Sequence, residues 1–126
     1  KTEKGNWVIR KELLIEHADA IGRTFAEGRK SDVLKYSQLR KFYDHAVNCE
    51  KKLKLCDDFE IVMGDILKLN GFADYARSRK NIPEVFRTFI HKNVANIHTA
   101  DDFRKGFLEH FQAVVASFRY YRPDND

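Results

Sequence analysis

Two arginine–histidine pairs have a spacing that would suit chemistry on RNA. Arg40 precedes His45 by five residues, and Arg104 precedes His110 by six. In helical ribonucleases, an Arg and a His at such a separation act on the ribose hydroxyl and on the phosphate. With ten arginines and five histidines in the chain, about one match of this kind is expected by chance. The pattern is therefore weak, and we predict that the chain has no catalytic residue.

The spacing of the histidines and cysteines does not indicate a metal site. The histidines fall on at least four predicted elements, and no two have the i, i+4 spacing of a zinc-binding helix. Cys49 and Cys56 are seven residues apart, which suits two small, reduced core residues better than two ligands. The sequence contains no glycine-rich phosphate loop and no nucleophile elbow. We therefore expect neither a cofactor nor a metal.

The densest group of arginines lies in the middle of the chain. It consists of Arg77, Arg79 and Lys80, and acidic residues occur only at its edges, at Asp74 and Glu84. Clustered guanidinium groups suit the binding of phosphate oxygens. The net charge of +4 agrees with a polyanionic partner but is too small to establish one.

The composition favours a single all-α domain over residues 1–126. Hydrophobic residues make up 43% of the chain and charged residues 33%, which suits a packed globule rather than a disordered segment. Only two prolines and six glycines interrupt a sequence rich in helix-forming residues. No apolar run approaches the roughly 18 residues that a membrane helix needs, so we expect a cytoplasmic protein without membrane contact.

Apolar residues that repeat every three or four positions predict the first two helices. The first is expected from about Trp7 to Ala26, where Gly28 ends it. The second is expected to follow Ser37, which suits an N-cap. Its predicted buried residues are Leu39, Phe42, Ala46, Cys49 and Leu53, and its basic polar side carries Lys41, His45, Asn48 and Lys52.

The third helix is predicted from a capping box, in which the N-cap residue and an acidic residue three positions later bind each other's backbone. Asp57 and Glu60 have this spacing, and Asn70 with Gly71 is expected to end the helix. Its predicted buried residues are Phe59, Val62, Met63, Ile66 and Leu67. Residues 72–80 are then expected to form one or two separate helical turns.

The last two helices are also marked by their starts. Pro83 suits the first turn of the fourth helix, and Thr99 with Asp102 forms a second capping box before the fifth. The fourth is expected to bury Phe86, Phe89, Ile90 and Ile97. The fifth is expected to bury Phe103, Phe107, Phe111, Val114 and Phe118.

Three stretches of the chain, in the same order, resemble the small subunit of the type III-A CRISPR effector complex, the Csm complex. Residues 36–43 (YSQLRKFY) resemble the family's Thr-Ser-Gln-Ile-Arg-Lys-Phe-Tyr. Residues 75–79 (YARSR) resemble its Tyr-Ala-x-x-Arg, and residues 112–121 (QAVVASFRYY) resemble its Glu-Ala-Ile-Val-Ala-Tyr-His-Lys-Tyr-Tyr. Gln112 stands where the family has a carboxylate, and Ser117 and Phe118 stand where it has Tyr and His.

The resemblance implies a compact bundle of about five helices that serves as a scaffold in an antiviral ribonucleoprotein. Several copies would line up beside the guide RNA and its target RNA, contacting sugar and phosphate without reading sequence. Other partners would be the backbone subunit, which cleaves the target, and the large polymerase-like subunit. Physical reasoning agrees, because a protein that serves any guide must leave specificity to base pairing.

The predicted RNA-binding residues are those cations that fall in or near the matched stretches. They are Arg40, Lys41, Arg77, Arg79 and Arg119, followed by Lys52 and Lys80. Three alternatives stay open: the small subunit of the type III-B complex, a helical ribonuclease that uses Arg40 and His45, and a helical adaptor that contacts only proteins.

Overall fold

The computed structural model describes residues 17–28 and 33–123, which form five helices and no strand. The first, α1, covers residues 17–26, followed by α2 (Tyr36–Cys56), α3 (Phe59–Ser78) and α4 (Glu84–Ala95). A π-helical segment, Asp102–Leu108, leads directly into α5 (Glu109–Tyr121). The predicted all-α bundle is confirmed. The expected start of the first helix near Trp7 lies outside the described residues. Within those two ranges, no helix is both long and apolar enough to cross a bilayer.

Phenylalanine side chains form the centre of the core, where α2, α4 and α5 meet. All five residues predicted for the stripe of the last helix are buried, and so are all five predicted for α2. The rings pack edge to face, with centroids 5.0 Å apart for Phe42 and Phe86 and 5.6 Å apart for Tyr43 and Phe111. Burial of each such side chain contributes about 1.5–3 kcal/mol. Ile97 is buried as predicted, although it follows α4.

The helix starts differ from the predictions by one or two residues. Asp58, not Asp57, caps α3, because its carboxylate accepts hydrogen bonds from the backbone of the next turn. Asp57 instead ends α2 in the left-handed conformation (φ 53°). Ser37 is not an N-cap, because α2 already begins after an extended Lys35. Pro83 lies just before α4, in extended conformation, rather than in its first turn.

The predicted capping box at the last helix start is confirmed. The Thr99 hydroxyl accepts from the Asp102 backbone N–H at 3.0 Å, and the Asp102 carboxylate accepts from the Thr99 N–H at 3.2 Å. The π-helical segment that follows is identified by the Glu109 N–H, which bonds to the carbonyl of Arg104 five residues earlier. The two bonds of the box fix the start of the helix at Ala100, two residues before the π-helical segment.

α3 does not end at Asn70 and Gly71, as predicted, but continues to Ser78. The apolar stripe extends through these residues, and Leu69, Ala73 and Ala76 are all buried against the neighbouring helices. Their packing outweighs the cost of about 1 kcal/mol for a glycine inside a helix. Residues 72–78 are therefore the last two turns of α3. Leu67 is half exposed, against the prediction that it is buried, because it lies off this stripe.

α1 and α5 meet at very close range. An added Cβ on Gly22 would lie 2.6 Å from the Ser117 Cβ and 2.8 Å from the Val114 carbonyl oxygen. The Ser117 hydroxyl donates to the Asp19 carbonyl at 3.0 Å, and the Tyr121 hydroxyl donates to the Asp19 carboxylate at 3.1 Å. We call this contact the α1–α5 seam. It fixes the C-terminal half of α5, which carries Arg119.

Candidate nucleic-acid interface

Tyr36, at the start of α2, brings together two arginines from distant parts of the chain. Arg119 of α5 lies over its ring, with the guanidinium carbon 4.2 Å from the ring centroid. Arg40, one turn along α2, lies 5.7 Å from the same centroid and donates a hydrogen bond of 2.9 Å to the Tyr36 hydroxyl. Tyr36 also stacks on the core residue Phe118. We call Tyr36, Arg40 and Arg119 the tyrosine cluster.

The two arginines of this cluster differ in how far their charge is neutralised. Arg40 pairs with Asp44 at 3.1 Å, and the hydrogen bonds from its guanidinium to Tyr36 and Asp44 raise the pKa of Arg40. Exposed pairs of this kind contribute at most about 1 kcal/mol, so a phosphate can compete for the guanidinium. Arg119 has the Tyr36 ring as its contact, and no carboxylate among the described residues pairs with it. Both cations therefore remain able to bind an anion.

A basic cleft of about 460 Å³ lies next to the tyrosine cluster. Its cations are Lys35, Lys80 and Arg122, which come from three separate segments of the chain. Ser37, Gln38 and Asn81 add hydroxyl and amide groups, and no described lining residue is acidic. Lys35 and Ser37 flank Tyr36 in the sequence, so the cleft and the cluster both lie at the start of α2. Together they suit a phosphate backbone.

Lys80 enters this cleft from a strained backbone. Its φ is 61°, in the left-handed region that favours glycine. The Lys80 N–H bonds to the Arg77 carbonyl at 2.8 Å, and the Asn81 N–H bonds to the Ala76 carbonyl at 2.8 Å. These two bonds form the Schellman motif, a common helix ending whose left-handed position is usually glycine. A lysine there costs of order 1 kcal/mol, and it contributes a cation to the cleft.

The arginine cluster that the sequence predicted separates in the structure. Arg77 is half-buried and donates to the Ile82 carbonyl at 2.9 Å, so it holds the connection between α3 and α4. Arg79 is exposed, with its guanidinium 5.7 Å from the centre of the Tyr75 ring. Lys80 lines the basic cleft. These three cations therefore have different surroundings.

The two predicted lysines of α2 lie in different surroundings. Lys41 is exposed and lines a groove between α2 and α3. Lys52 binds the Asp65 carboxylate at 2.6 Å, and Lys68 binds the same carboxylate at 3.2 Å. Hydrogen bonds from these two lysines lower the pKa of Asp65. The charge of Lys52 is thus already paired within the protein, whereas Lys41 faces solvent.

The histidines of the two Arg–His pairs are held by other groups. The Nε2 of His45 donates to the Asp65 carbonyl at 2.7 Å, and the guanidinium of Arg40 is bonded to Tyr36 and Asp44. His110 is 7% exposed and packs against Phe89. Across residues 17–28 and 33–123, no three His, Cys, Asp or Glu side chains converge as metal ligands would.

The structure also adds residues that sequence reasoning missed. Lys35 and Arg122 line the basic cleft, and Tyr36 carries the two arginines of the cluster. The spacing of Tyr36 and Arg40, one helical turn, is a local indication of their contact. No local pattern indicates the cleft, because its cations come from segments more than forty residues apart along the chain.

This all-helical chain with a basic edge is matched by the family model described as Csm2 Type III-A over residues 9–124. The chain therefore belongs to the Csm2 Type III-A family, the small subunits of the type III-A CRISPR effector complex. Its partners include the other subunits of that complex. Neither a search of the curated proteins nor a search of the solved structures gave a significant match.

Proposed function

We propose that this subunit is a non-catalytic scaffold that binds the backbones of guide and target RNA without sequence specificity. The chain acts as one domain over residues 1–126, in several copies along the RNA of a cytoplasmic ribonucleoprotein. The observation that carries this proposal is the basic cleft, where Lys35, Lys80 and Arg122 meet without an acidic neighbour among the described lining residues. Phosphates are the same at every nucleotide, so such contacts position RNA but do not select its sequence.

The tyrosine cluster extends the proposed phosphate contacts beyond the basic cleft. The tyrosine cluster offers Arg40 and Arg119 beside the cleft, so successive phosphates of one strand meet cations on either side of the start of α2. Each copy makes only a few such contacts. A single copy therefore binds weakly, and several copies on one RNA gain affinity through avidity.

The ribonuclease alternative is disfavoured by the surroundings of its histidines. A general base must lie within hydrogen-bond reach of the ribose hydroxyl. The Nε2 of His45 donates to the Asp65 carbonyl, which leaves only Nδ1 as a base, and the guanidinium of Arg40 is bonded to Tyr36 and Asp44. His110 is buried under α4. Incubating the purified protein with labelled RNA tests this directly, and we expect no cleavage. Cleavage that disappears in His45→Ala would establish the enzyme instead.

Lys80→Gly tests the proposed function, because it removes the cation and relieves the strained backbone together. We expect RNA binding to weaken roughly five-fold, the equivalent of about 1 kcal/mol for one exposed charge contact. The slope of log K against log salt should fall by about 0.7, the share of one phosphate on a single strand. The free energy of unfolding should stay the same or rise by up to about 1 kcal/mol.

Two variants serve as matched controls for Lys80→Gly. Asp57 is the other non-glycine residue with positive φ in the described chain, so Asp57→Gly relieves similar strain far from the cleft. Lys51→Gln removes one exposed charge roughly 24 Å along α2 from Lys35. Neither should change RNA affinity by more than two-fold. Equal losses in all three variants, or unchanged binding in Lys80→Gly, would contradict a specific site at the cleft. Absence of RNA binding by the wild-type protein would favour the protein-only adaptor.

A further inference from the structure

A second cavity, the aromatic groove, lies between α2 and the C-terminal half of α3. Its volume is about 530 Å³, within the range of small-ligand pockets. Phe72 and Tyr75 line it from α3, and their side chains are 45% and 64% exposed. Two large rings one helical turn apart are thus left in solvent beside a concave surface.

The rings of the aromatic groove are held in position by neighbours. His45 meets Phe72 edge to face with centroids 5.0 Å apart, and its Nε2 hydrogen bond to a backbone carbonyl fixes the imidazole. Tyr75 carries the guanidinium of Arg79 at 5.7 Å from its ring centre. Both aromatic residues stand on a regular helix, so little conformational freedom is lost when a flat ligand stacks on them.

Three side-chain amides face the same groove, from Gln38, Asn48 and Asn81. None of them hydrogen-bonds to another residue in the described part of the chain. An amide carries both donors and an acceptor, as does the edge of a nucleobase. The groove thus combines stacking rings with adaptable polar groups, the combination by which proteins bind unpaired bases.

The aromatic groove adjoins the basic cleft. Gln38 and Asn81 line both cavities, so a ligand passing from one to the other crosses these two amides. Lys41 adds a cation to the groove. Asp44 is the one acidic residue among the described residues that line the groove, and it is paired with Arg40 at 3.1 Å. The charge of the groove therefore suits a nucleotide whose phosphate lies in the cleft.

We propose that the aromatic groove binds one unpaired nucleobase of the RNA strand whose backbone occupies the basic cleft. The base stacks on Tyr75 and Phe72 while the amides contact its edge. Stacking tolerates every base, so the groove adds affinity without demanding a sequence. This inference rests on the proposed RNA-binding function and extends it from phosphates to a base.

Binding of two short single-stranded RNAs to the full chain tests the proposal. One RNA is unmodified and the other has abasic nucleotides throughout its centre, with the same phosphates. Fluorescence anisotropy should show the unmodified RNA bound about ten-fold more tightly, the effect of one stacked base. In the double variant Phe72→Ala, Tyr75→Ala, the unmodified RNA should bind as weakly as the abasic RNA, whose own affinity should not change.

The controls separate the base site from the backbone site and from general loss of aromatic surface. Lys80→Gly should weaken both RNAs by the same factor and keep their ratio. Tyr120 is 78% exposed on α5 and lies outside the groove, so Tyr120→Ala should keep the ratio as well. Quenching of 2-aminopurine in RNA bound to the wild-type protein reports stacking without any variant. Unquenched fluorescence in bound RNA would overturn the proposal.

The remaining outcomes are distinct. Equal affinity of the wild-type protein for both RNAs overturns the base site and leaves the proposed backbone binding intact. Binding of neither RNA overturns both. If the double variant keeps the ten-fold ratio but loses self-association or assembly with other subunits, the groove is a protein interface and not a base site.

Discussion

The α1–α5 seam and the aromatic groove use polar residues in opposite ways. In the seam, Asp19 accepts hydrogen bonds from Ser117 and Tyr121, and Gly22 leaves no room for a methyl group. In the groove, amides and aromatic rings surround an open volume of about 530 Å³. Side chains whose bonding is complete inside the protein hold the fold together. The amides of the groove keep donors and acceptors that a ligand can bind.

The largest effect should come from adding a methyl group to the seam, where no space remains. Gly22→Ala places a Cβ against Ser117 and the backbone of α5, so we expect the free energy of unfolding to fall by about 3 kcal/mol. Gly64→Ala is the matched control, because nothing lies within 4 Å of the added group. It should raise the free energy of unfolding by up to about 1 kcal/mol. Urea denaturation measures both, and similar values would contradict the tight packing of α1 on α5.

A smaller effect should follow from removing a polar group in each region. Asp19→Ala removes the carboxylate that accepts from the Tyr121 hydroxyl and that is one of two acceptors for the Ser117 hydroxyl. It should lower the free energy of unfolding by about 1 kcal/mol. Asn48→Ala in the groove removes an exposed amide and should change it by less than about 0.5 kcal/mol. A large loss of stability in Asn48→Ala would show that the groove is structural after all.

The smallest effect concerns the side of α3 that faces α4 rather than the groove. Asp74 binds His91 and Arg87, both at 2.8 Å, and the hydrogen bonds from His91 and then Arg87 lower the pKa of Asp74. The unfolded chain then binds the proton more readily than the folded one. Stability from this site is complete above pH about 4 and is lost as the pH falls through the lowered pKa.

Thermal unfolding between neutral pH and pH 3 checks this dependence. Asp74→Asn should show a shallower decline of the melting temperature toward acid than the wild-type protein does. Some decline should remain, because the pKa values of Asp65 and Asp102 are also lowered, by Lys52 and by backbone N–H groups respectively. Identical acid curves would mean that the carboxylate of Asp74 contributes nothing to folding.

The sequence predicted the parts of the fold that depend on local periodicity. The stripes of α2 and of the last helix consist of apolar residues at regular spacing, and both are buried as expected. The predicted end of α3 was wrong, because Asn70 and Gly71 favour the end of a helix only where packing does not oppose it. Tertiary contacts of Leu69 and Ala73 decide that question, and they are not visible in local propensity.

The candidate site was predictable only in part, for a similar reason. Arg40 and Arg119 were identified from the matched stretches, yet their contact through Tyr36 depends on how α5 packs against α2. Arg77 and Arg79 look equivalent in the sequence, but one bonds to the α3–α4 connection and the other faces solvent. Whether a cation is available to RNA depends on its partners, which only the fold determines.

The π-helical segment Asp102–Leu108 has a consequence for the length of the chain. Each of its rings closes over five residues instead of four, as between Glu109 and Arg104. The segment thus accommodates one residue more than an α-helix with the same two ends. Loss of a residue such as Gly106, where an added Cβ would meet nothing within 4 Å, would let the helix rewind while Phe103 and Phe111 keep their directions. This helix is therefore a place where the chain can shorten by one residue without losing its core.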